Sequence, residues 1–150
     1  MTNPTAAMLV IGDEILSGRT RDANMYYLAG ALTEIGIDLK EVRVVSDDKA
    51  AIIAAVTALS QAHDTVITSG GIGPTHDDIT ADCIAAAFDR PIDIRSDARA
   101  LLAAHYDRQG VELNAARLRM ARIPDGATLI DNPVSVAPGF TLENVHVMAG

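Results

Sequence analysis

Apolar residues in the first half of the chain alternate between short continuous runs and longer runs with helical spacing. Residues 6–11 form a continuous apolar run that stops at Gly12, which is typical of a strand buried on both faces. Asp22 is a plausible helix cap, and apolar residues then recur at helical spacing from Leu28 until Gly36. The pattern predicts a central strand followed by a helix of about three or four turns.

The same alternation repeats twice more along the chain. Residues 37–46 predict a second strand, and residues 49–62 a second helix. A third strand over 65–68 leads through a polar loop into a helix that opens at Ile79-Thr80. A β-α-β-α-β-α order favours a mainly parallel sheet with helices on both faces, joined by right-handed crossovers. The chain is therefore predicted to be an α/β protein.

The second half of the chain is less regular. It contains a predicted helix whose inner side carries Ala98, Leu101, Leu102 and His105 and which stops at Gly110. Turn chemistry and short apolar runs follow it. The predicted elements are a helix over 97–109, a short helix over 114–122, a strand over 128–130, a loop over 132–139 and a last strand over 145–148.

Composition limits the class of protein. The chain has 150 residues, 49% of them hydrophobic, which is enough for one core in a single domain. Mean hydropathy is +0.18 without a run of about 18 apolar residues, so we expect a soluble globular protein and no membrane partner. One cysteine, Cys83, cannot form an internal disulfide, and the first residues lack a secretory signal pattern. A cytoplasmic location is expected.

Charge argues against nucleic acid as a partner. The formal net charge is −8 and the isoelectric point is near 4.7. Excess negative charge opposes non-specific binding to nucleic acids and to anionic membranes. Arg117, Arg119 and Arg122 form a basic cluster that is either a solvated helix face or a contact for an anionic ligand or a neighbouring subunit. We expect a small molecule as the main partner.

The segment Ser69–Asp78 carries the strongest chemical signal of the chain. Its three glycines and its proline let the backbone turn tightly and approach a ligand. Unpaired amides at the start of the following helix attract anions. We therefore expect this segment, the glycine loop, to hold a phosphate group.

Polar residues follow each of the first three predicted strands. Gly12-Asp13-Glu14 follows the first strand, Ser46-Asp47-Asp48 the second, and the glycine loop the third. In open parallel sheets, ligands bind at the carboxyl ends of the strands, so these segments are expected to converge. Carboxylate oxygens suit Mg²⁺. The sequence thus predicts a site for a phosphate and a divalent cation at one edge of the sheet.

Taken together, these motifs resemble the molybdopterin-binding domain family, and most closely the amino-terminal domain of the CinA (competence/damage-inducible) proteins. The resemblance implies a three-layer α/β/α sandwich with a mainly parallel sheet. Because the sequence stops directly after a predicted strand, we expect one domain over 1–150 that lacks a closing segment. The matching residues are Gly12-Asp13-Glu14, Gly18, Asp22, Asn24, Gly36, Asp47, Ser69–Thr75, Asp77–Thr80, Ile123–Ala127, Asn132 and Ala137–Phe140.

The resemblance also implies residue roles. Relatives that adenylylate molybdopterin use an aspartate after the second strand and one before the threonine of the glycine-loop helix, which fall on Asp47 and Asp78. Both are expected to be catalytic and to bind Mg²⁺. A departure at Ser135-Val136, where CinA-like chains usually have glycine and then threonine or serine, affects the contacts of that loop. The expected ligand-binding residues are Gly12, Asp13, Asn24, Ser69, Gly70, Gly71, Gly73, Pro74, Thr75, Thr80, Pro138 and Gly139.

Three functions remain compatible with the resemblance. CinA likeness favours a metal-dependent pyrophosphohydrolase of ADP-ribose-like compounds. The alternatives are a molybdopterin adenylyltransferase step in molybdenum cofactor biosynthesis, and a non-catalytic module that binds a pterin or nucleotide. Whether the chain is an enzyme therefore stays open, with molybdopterin itself as a candidate ligand. Relatives are commonly dimers or trimers, so a homo-oligomer is expected.

Several candidate residues also have a purely structural interpretation. Asp77 or Asp78 is a possible cap for the helix near Ile79, and Asp47 for the helix that begins at Lys49. The same residue types also fit solvated turn positions at Asp13 and Glu14, an exposed helix position at Asn24, and turn-stabilising hydroxyls at Thr75 and Thr80. Among the histidines only His76 lies in the glycine loop, and Cys83 is expected to be a buried thiol.

Overall fold

The first half of the chain folds as its apolar pattern predicts. The computed structural model describes residues 2–150. The predicted strands and helices between Thr5 and Ala87 are present, with boundaries within one or two residues of those predicted, and a short helix over Asp13–Leu16 is added that the sequence does not predict. The elements are β1 (Thr5–Ile11), α1 (Asp13–Leu16), α2 (Asn24–Glu34), β2 (Asp38–Val45), α3 (Lys49–Ala62), β3 (Thr65–Ser69) and α4 (Thr80–Ala87).

The second half confirms the predicted long helix and two of the strands and adds three strands that the sequence does not predict. The helix and the strands over 128–130 and 145–148 lie at the predicted positions. The elements are β4 (Ile92–Ile94), α5 (Ser96–Gln109), α6 (Ala115–Leu118), a 3₁₀ turn (Arg119–Ala121), β5 (Arg122–Pro124), β6 (Thr128–Ile130), β7 (Gly139–Leu142) and β8 (Val145–Met148).

The main sheet has six strands in the order β2-β1-β3-β8-β7-β6. β1 pairs in parallel with β2 and β3, and β3 pairs in parallel with β8. β7 runs antiparallel to both of its neighbours, and β4 with β5 forms a separate two-stranded sheet. The mainly parallel sheet flanked by helices confirms the predicted three-layer α/β/α fold.

Strand order explains why the helices lie on both faces. The crossover from β1 leads to β2 on one side, whereas the crossover from β2 leads past β1 to β3 on the other side. Right-handed crossovers in opposite directions place α2 and α3 on opposite faces of the sheet. The connection that follows β1 therefore runs toward β2, and the connection that follows β3 runs in the opposite direction along the sheet. The crevice between the carboxyl ends of β1 and β3 is the place where ligands bind in sheets of this kind.

The larger core lies on the α3 and α4 side of the sheet. Alternate β1 residues Ala7, Leu9 and Ile11 join a buried cluster that includes Ile52 and Val56 of α3. Burying a residue such as Leu9 stabilises the fold by about 2 kcal/mol. Ala6, Met8 and Val10, which point to the other face of β1, are also buried, so β1 is central as predicted. Among residues 2–150, no helix combines the length and the apolar character needed to cross a membrane.

Three predictions about the second half are wrong. The helix expected over 114–122 ends early, because residues 122–124 pair with β4 as a strand. Leu101, predicted on the inner side of α5, is 47% exposed, whereas Ala98 and Leu102 are fully buried there. The loop expected over 132–139 ends one residue early, since Gly139 already pairs with Ile130. In the first and the third case, strand pairing overrides the local sequence pattern.

Candidate functional site

Five strands of the main sheet run in the same direction and end at the same edge. They are β1, β2, β3, β8 and β6, and β7 begins at this edge because it runs the other way. The segments that meet there follow β1, β2, β3 and β8 or connect β6 to β7. The convergence that the sequence predicts for the first three segments is therefore present in the fold.

Backbone conformation requires glycine at two positions of the glycine loop. Gly70 has φ of 101° and Gly71 has φ of 75°, values that residues with a side chain rarely adopt. A Cβ at Gly70 would overlap the carbonyl oxygen of Ile11, and one at Gly71 would overlap Oγ1 of Thr80. The loop thus crosses directly over the end of β1, with no room for larger residues.

Hydrogen bonds decide which amides of the glycine loop are available to a ligand. The N–H of Gly70 donates to the carbonyl of Met148 at 3.1 Å, so it is already used. Within the described part of the chain, the N–H groups of Gly71 and Gly73 have no acceptor. These two amides are free to bind an anion, whereas the glycine pattern alone predicts all three.

Asp78 closes the glycine loop. Its Oδ2 accepts hydrogen bonds from the N–H of Thr75 at 2.9 Å and from Oγ1 of Thr75 at 2.8 Å. Thr80 is fully buried, and its hydroxyl donates to the carbonyl of Gly70 at 3.0 Å. Both threonine hydroxyls therefore stabilise the turn. No side chain caps α4, so the helix-cap interpretation of Asp77 and Asp78 is wrong.

Asp47 joins the loops that follow β1 and β2. Its Oδ2 accepts from the N–H of Asp13 at 3.1 Å, and Oδ1 of Asp13 accepts from the N–H of Asp47 at 3.1 Å. The cap of α3 is the next residue, Asp48, whose Oδ2 accepts from the N–H of Ala51 at 2.9 Å. The interpretation in which Asp47 caps this helix is thus wrong. The reciprocal bonds hold Asp47 at the end of β1.

The environment of Asp47 is strongly acidic. Partial burial raises the pKa of its carboxyl group, and the negative charges of Asp13, Glu14 and Asp77 raise this pKa further. The backbone hydrogen bond from Asp13 acts in the opposite direction but does not compensate. Negative charge that accumulates in this way attracts cations.

The carboxylates of Asp47 and Asp78 line one small cavity, which we call the acid cavity. Its volume is about 200 Å³, and each of the two carboxylates keeps an Oδ1 that accepts no hydrogen bond from residues 2–150. The cavity is bordered by Ile11, Asp13, Glu14, Arg19, Asp47, Gly71, Thr75, Asp77 and Asp78.

The donors of the acid cavity fit Mg²⁺ in the way that the ion binds with nucleotides. No group of three or more His, Cys, Asp or Glu within residues 2–150 is arranged to enclose a metal. Mg²⁺ does not need such a cage, since it usually takes one or two carboxylates together with water and the phosphates of the substrate. Asp47 and Asp78 would hold it. Their role as metal ligands stays a prediction.

A larger cavity lies beside the glycine loop. This main cavity has a volume of about 440 Å³, which is in the size range of small-molecule sites. Its walls include Glu14 and residues that the sequence analysis did not propose as ligand contacts, namely Tyr106, Met120 and Ala137. Tyr106 and Met120 lie more than 25 residues beyond the glycine loop, and nothing local marks them. Gly70, Gly71, Gly73, Pro74 and Asp78 of the glycine loop also line this cavity.

The remaining predicted ligand residues differ in position. Gly12 follows β1 beside Asp13, and Ser69 is a buried residue at the end of β3. Pro138 borders a narrow gap under the glycine loop, and Gly139 borders a further cavity of about 330 Å³. Asn24 begins α2 on the exposed surface and lines neither the acid cavity nor the main cavity.

The basic cluster does not behave as one surface. Arg122 pairs with Asp82 at 2.7 Å, and Arg117 stacks over the ring of Tyr106, with its guanidinium carbon 5.3 Å from the ring centroid. Arg119 contacts the carbonyl of His76 at 3.4 Å and has a buried Nε without a partner among residues 2–150. Arg119 and Arg122 both border the narrow gap under the glycine loop, whereas Arg117 does not.

The structure also gives the environment of the cysteine and of two histidines. Cys83 is fully buried, and burial raises the pKa of its thiol to about 11, as expected for a structural cysteine. His76 is exposed and lies 3.4 Å from the carboxylate of Asp77. His63 pairs with Glu41 at 3.1 Å. It lies just before β3, whereas the glycine loop follows the other end of that strand.

Comparison with known proteins agrees with this geometry. Residues 7–150 match the family described as a probable molybdopterin binding domain. A CinA-like protein from Citrifermentans bemidjiense is 40% identical over 136 residues, which are 91% of this chain and 33% of that protein. A probable FAD synthase from Caenorhabditis briggsae is 36% identical over 165 residues, covering 97% of this chain and 32% of its own length.

A solved structure shows the same fold. The crystal structure of CinA from Thermoplasma acidophilum, a protein of unknown function, is 33% identical. The match has a TM-score of 0.89 and covers 99% of this chain and 89% of the other.

The fold and site together define a doubly wound α/β domain with a glycine loop at its topological switch point. The chain belongs to the molybdopterin-binding domain family, and within it to the CinA-like proteins. It spans about half the length of the first curated relatives that it matches.

Proposed function

We propose that the chain binds a phosphate-bearing nucleotide or pterin at the carboxyl edge of its sheet and hydrolyses the pyrophosphate bond of ADP-ribose-like compounds with Mg²⁺. One observation carries the proposal: the carboxylates of Asp47 and Asp78 share the acid cavity with Gly71, whose amide is free. A phosphate bound at this amide would adjoin two carboxylates, the combination that phosphoryl chemistry with a divalent cation needs.

Each residue of the site has a defined part in the proposed mechanism. The N–H groups of Gly71 and Gly73 donate to phosphate oxygens, and positive φ at Gly71 keeps the first of them turned out of the loop. Asp78 is held at the end of the loop by Thr75, and Asp47 by Asp13. When bound, the cation supplies charge stabilisation for the phosphoryl group. Fixed donors need no rearrangement as charge develops there.

The proposed hydrolysis balances without a further reactant. A water oxygen forms a bond to one phosphorus, and the bond from that phosphorus to the bridging oxygen breaks. The bridging oxygen leaves with the other phosphate, and water gives up a proton to solvent. The products from ADP-ribose are AMP and ribose 5-phosphate.

A second candidate function is adenylyl transfer. The relative from Caenorhabditis briggsae that carries the name probable FAD synthase supports it, because FAD formation transfers AMP from ATP to a flavin phosphate. In such a step, a phosphate oxygen of a pterin or flavin bonds to the α-phosphorus of ATP and pyrophosphate leaves. The same glycine amides and carboxylates would serve this reaction. A third candidate is a module that binds the ligand without turning it over.

Product analysis separates the three candidates. The protein is incubated with Mg²⁺ and ADP-ribose, and in parallel with Mg²⁺, ATP and molybdopterin or flavin mononucleotide. AMP from the first reaction supports hydrolysis, whereas pyrophosphate from the second supports adenylyl transfer. If neither reaction gives a product but calorimetry shows that the ligand binds, both enzyme functions are refuted and the non-catalytic binding module is the remaining candidate.

Assembly and location are part of the proposal as well. We propose a dimer or trimer that works in the cytoplasm. Tyr26 and Tyr27 of α2 and Ile35 directly after it are 87%, 77% and 70% exposed, and self-association would cover such apolar surface. Light scattering after gel filtration measures the mass, and a monomer at micromolar concentration would contradict this part.

A further inference from the structure

Tyr106 is placed differently from the other aromatic residues of the chain. The sequence holds three tyrosines, two phenylalanines and no tryptophan. Tyr26 and Tyr27 are exposed on α2, Phe140 is buried in the core, and Phe88 and Tyr106 both pack against the core. Among these aromatic residues, Tyr106 alone also borders the main cavity, which it shares with the glycine loop. An aromatic ring therefore faces the space in which the phosphate site lies.

The ring of Tyr106 contacts two neighbouring side chains that lie outside the main cavity. The Arg117 guanidinium lies over one ring face at 5.3 Å from the centroid, and the ring of His105 meets it edge-on at 5.2 Å. Neither Arg117 nor His105 borders the main cavity. Arg117 is itself fixed, because its Nη1 donates to the carbonyl of Glu112 at 2.9 Å.

The main cavity thus has two chemically different walls. One wall carries the free amides of Gly71 and Gly73 with the carboxylate of Asp78. The other carries the half-buried ring of Tyr106 and the side chain of Met120, a soft surface that packs well against flat rings. Phosphate and a planar heteroaromatic ring are the two groups that such walls bind.

We propose that Tyr106, backed by Arg117, is the residue that stacks on the heteroaromatic ring of the ligand whose phosphate the glycine loop binds. The inference rests on the proposed function and makes it more specific. It assigns to the site a ligand that contains both a ring and a phosphate, and it separates binding of the ring from binding of the phosphate. Stacking of a base on an aromatic side chain strengthens binding about 5- to 150-fold.

The test compares ADP-ribose, which has both groups, with inorganic pyrophosphate, which has only phosphate. Tyr106→Ala is expected to weaken ADP-ribose binding about tenfold or more and to change pyrophosphate binding less than twofold, both in the presence of Mg²⁺ and measured by calorimetry. Tyr106→Phe keeps the ring and is expected to bind ADP-ribose within about threefold of the wild type. Tyr26→Ala, which removes an exposed tyrosine outside the cavity, is the matched control.

Tyrosine fluorescence gives a second measurement that does not depend on a variant at Tyr106. In the double variant Tyr26→Phe and Tyr27→Phe, Tyr106 is the only tyrosine of a chain without tryptophan. ADP-ribose should quench its emission, whereas pyrophosphate should not. This readout stays informative if Tyr106→Ala fails to fold.

The outcomes distinguish the two proposals. If Tyr106→Ala binds ADP-ribose like the wild type, or Tyr106→Phe loses as much affinity as Tyr106→Ala, stacking is refuted and the phosphate site stands. Absence of quenching by bound ADP-ribose also refutes it. If the wild type binds neither ADP-ribose nor pyrophosphate, the proposed function fails and the ring contact fails with it.

Discussion

Two adjacent aspartate pairs lie at the carboxyl edge of the sheet, and they do different work. After β2, Asp48 caps α3 and leaves Asp47 to bond across to Asp13. In the glycine loop, Asp78 both closes the turn with Thr75 and borders the acid cavity, whereas no side chain of this pair caps α4. The two aspartates after β2 thus have separate roles, one as a helix cap and one as a bond between loops. In the glycine loop, Asp78 alone closes the turn and also borders the acid cavity.

The backbone before each pair accounts for the difference. β2 ends at Val45 and α3 begins at Lys49, so the second aspartate falls at the cap position. The glycine loop is longer, and its path depends on positive φ at Gly70 and Gly71, so its aspartates lie at the end of a turn. Side-chain hydrogen bonds hold the first loop in place, whereas the second also depends on backbone conformations that require glycine. Substitutions in each loop test this contrast.

The largest expected effect is on activity when Asp78 loses its charge. Asp78→Asn should lower turnover of ADP-ribose about 100-fold or more, because charge leaves the acid cavity while the amide oxygen still accepts from Thr75. Asp77→Asn should retain activity within about threefold, since its side chain is 72% exposed. Initial rates of AMP release measure both, and thermal melts confirm that each variant folds. Near-normal turnover by Asp78→Asn would remove this residue from the site.

The backbone of the glycine loop should be the next most sensitive feature. Gly71→Ala combines a positive φ with overlap against Thr80 and should lower the free energy of unfolding by about 3 kcal/mol. Gly18→Ala is matched in conformation, with φ of 78°, but its added Cβ meets nothing within 4 Å. It should cost about 1 kcal/mol. Urea unfolding measures both, and equal losses would show that the close approach to Thr80 is unimportant.

Loss of the α3 cap should have a smaller effect on stability alone. Asp48→Ala removes the acceptor for the N–H of Ala51 and should cost about 1 kcal/mol, whereas Asp48→Asn keeps a good cap and should cost a few tenths. Both variants should turn over ADP-ribose like the wild type. A large loss of activity in Asp48→Asn would mean that the two aspartates after β2 do not divide their roles.

The smallest expected effect is the pH dependence that Asp47 contributes to stability. Burial and the charges of Asp13, Glu14 and Asp77 raise the pKa of Asp47 in the folded protein. The folded state therefore binds this proton more readily than the unfolded chain, and its stability falls as pH rises from the ordinary aspartate pKa through the raised one. Asp47→Asn should unfold at higher urea than the wild type at pH 7, by less than about 1 kcal/mol. The difference should vanish below the ordinary aspartate pKa, and a less stable variant at pH 7 would contradict the sign.

Local pattern was sufficient for the first half of the fold. The boundaries of α3 match the prediction at both ends, because apolar spacing, the acidic cap and the polar exit all lie within the segment itself. The strands β4, β5 and β7 have only three or four residues. β4 and β5 pair with each other across about 30 residues of chain, whereas β7 pairs with the neighbouring strand β8. The local sequence therefore gives little indication of such short strands.

The candidate site shows the same division. Glycine-loop residues and Asp47 are found from motif and position, since each directly follows a strand. Tyr106 and Met120 reach the main cavity from α5 and the following turn, and only the folded chain brings them there. The hydrogen bond from the N–H of Gly70 to the carbonyl of Met148 cannot be predicted from the local sequence either, because β8 lies almost 80 residues further along the chain.

A crystal of the protein soaked with ADP-ribose and Mn²⁺, which stands in for Mg²⁺ and scatters anomalously, tests the central claim most directly. We expect one anomalous peak in the acid cavity, bonded to carboxylate oxygens of both Asp47 and Asp78 and to a phosphate oxygen beside Gly71. A phosphate bound away from the glycine loop, or a metal peak that contacts neither carboxylate, would contradict it.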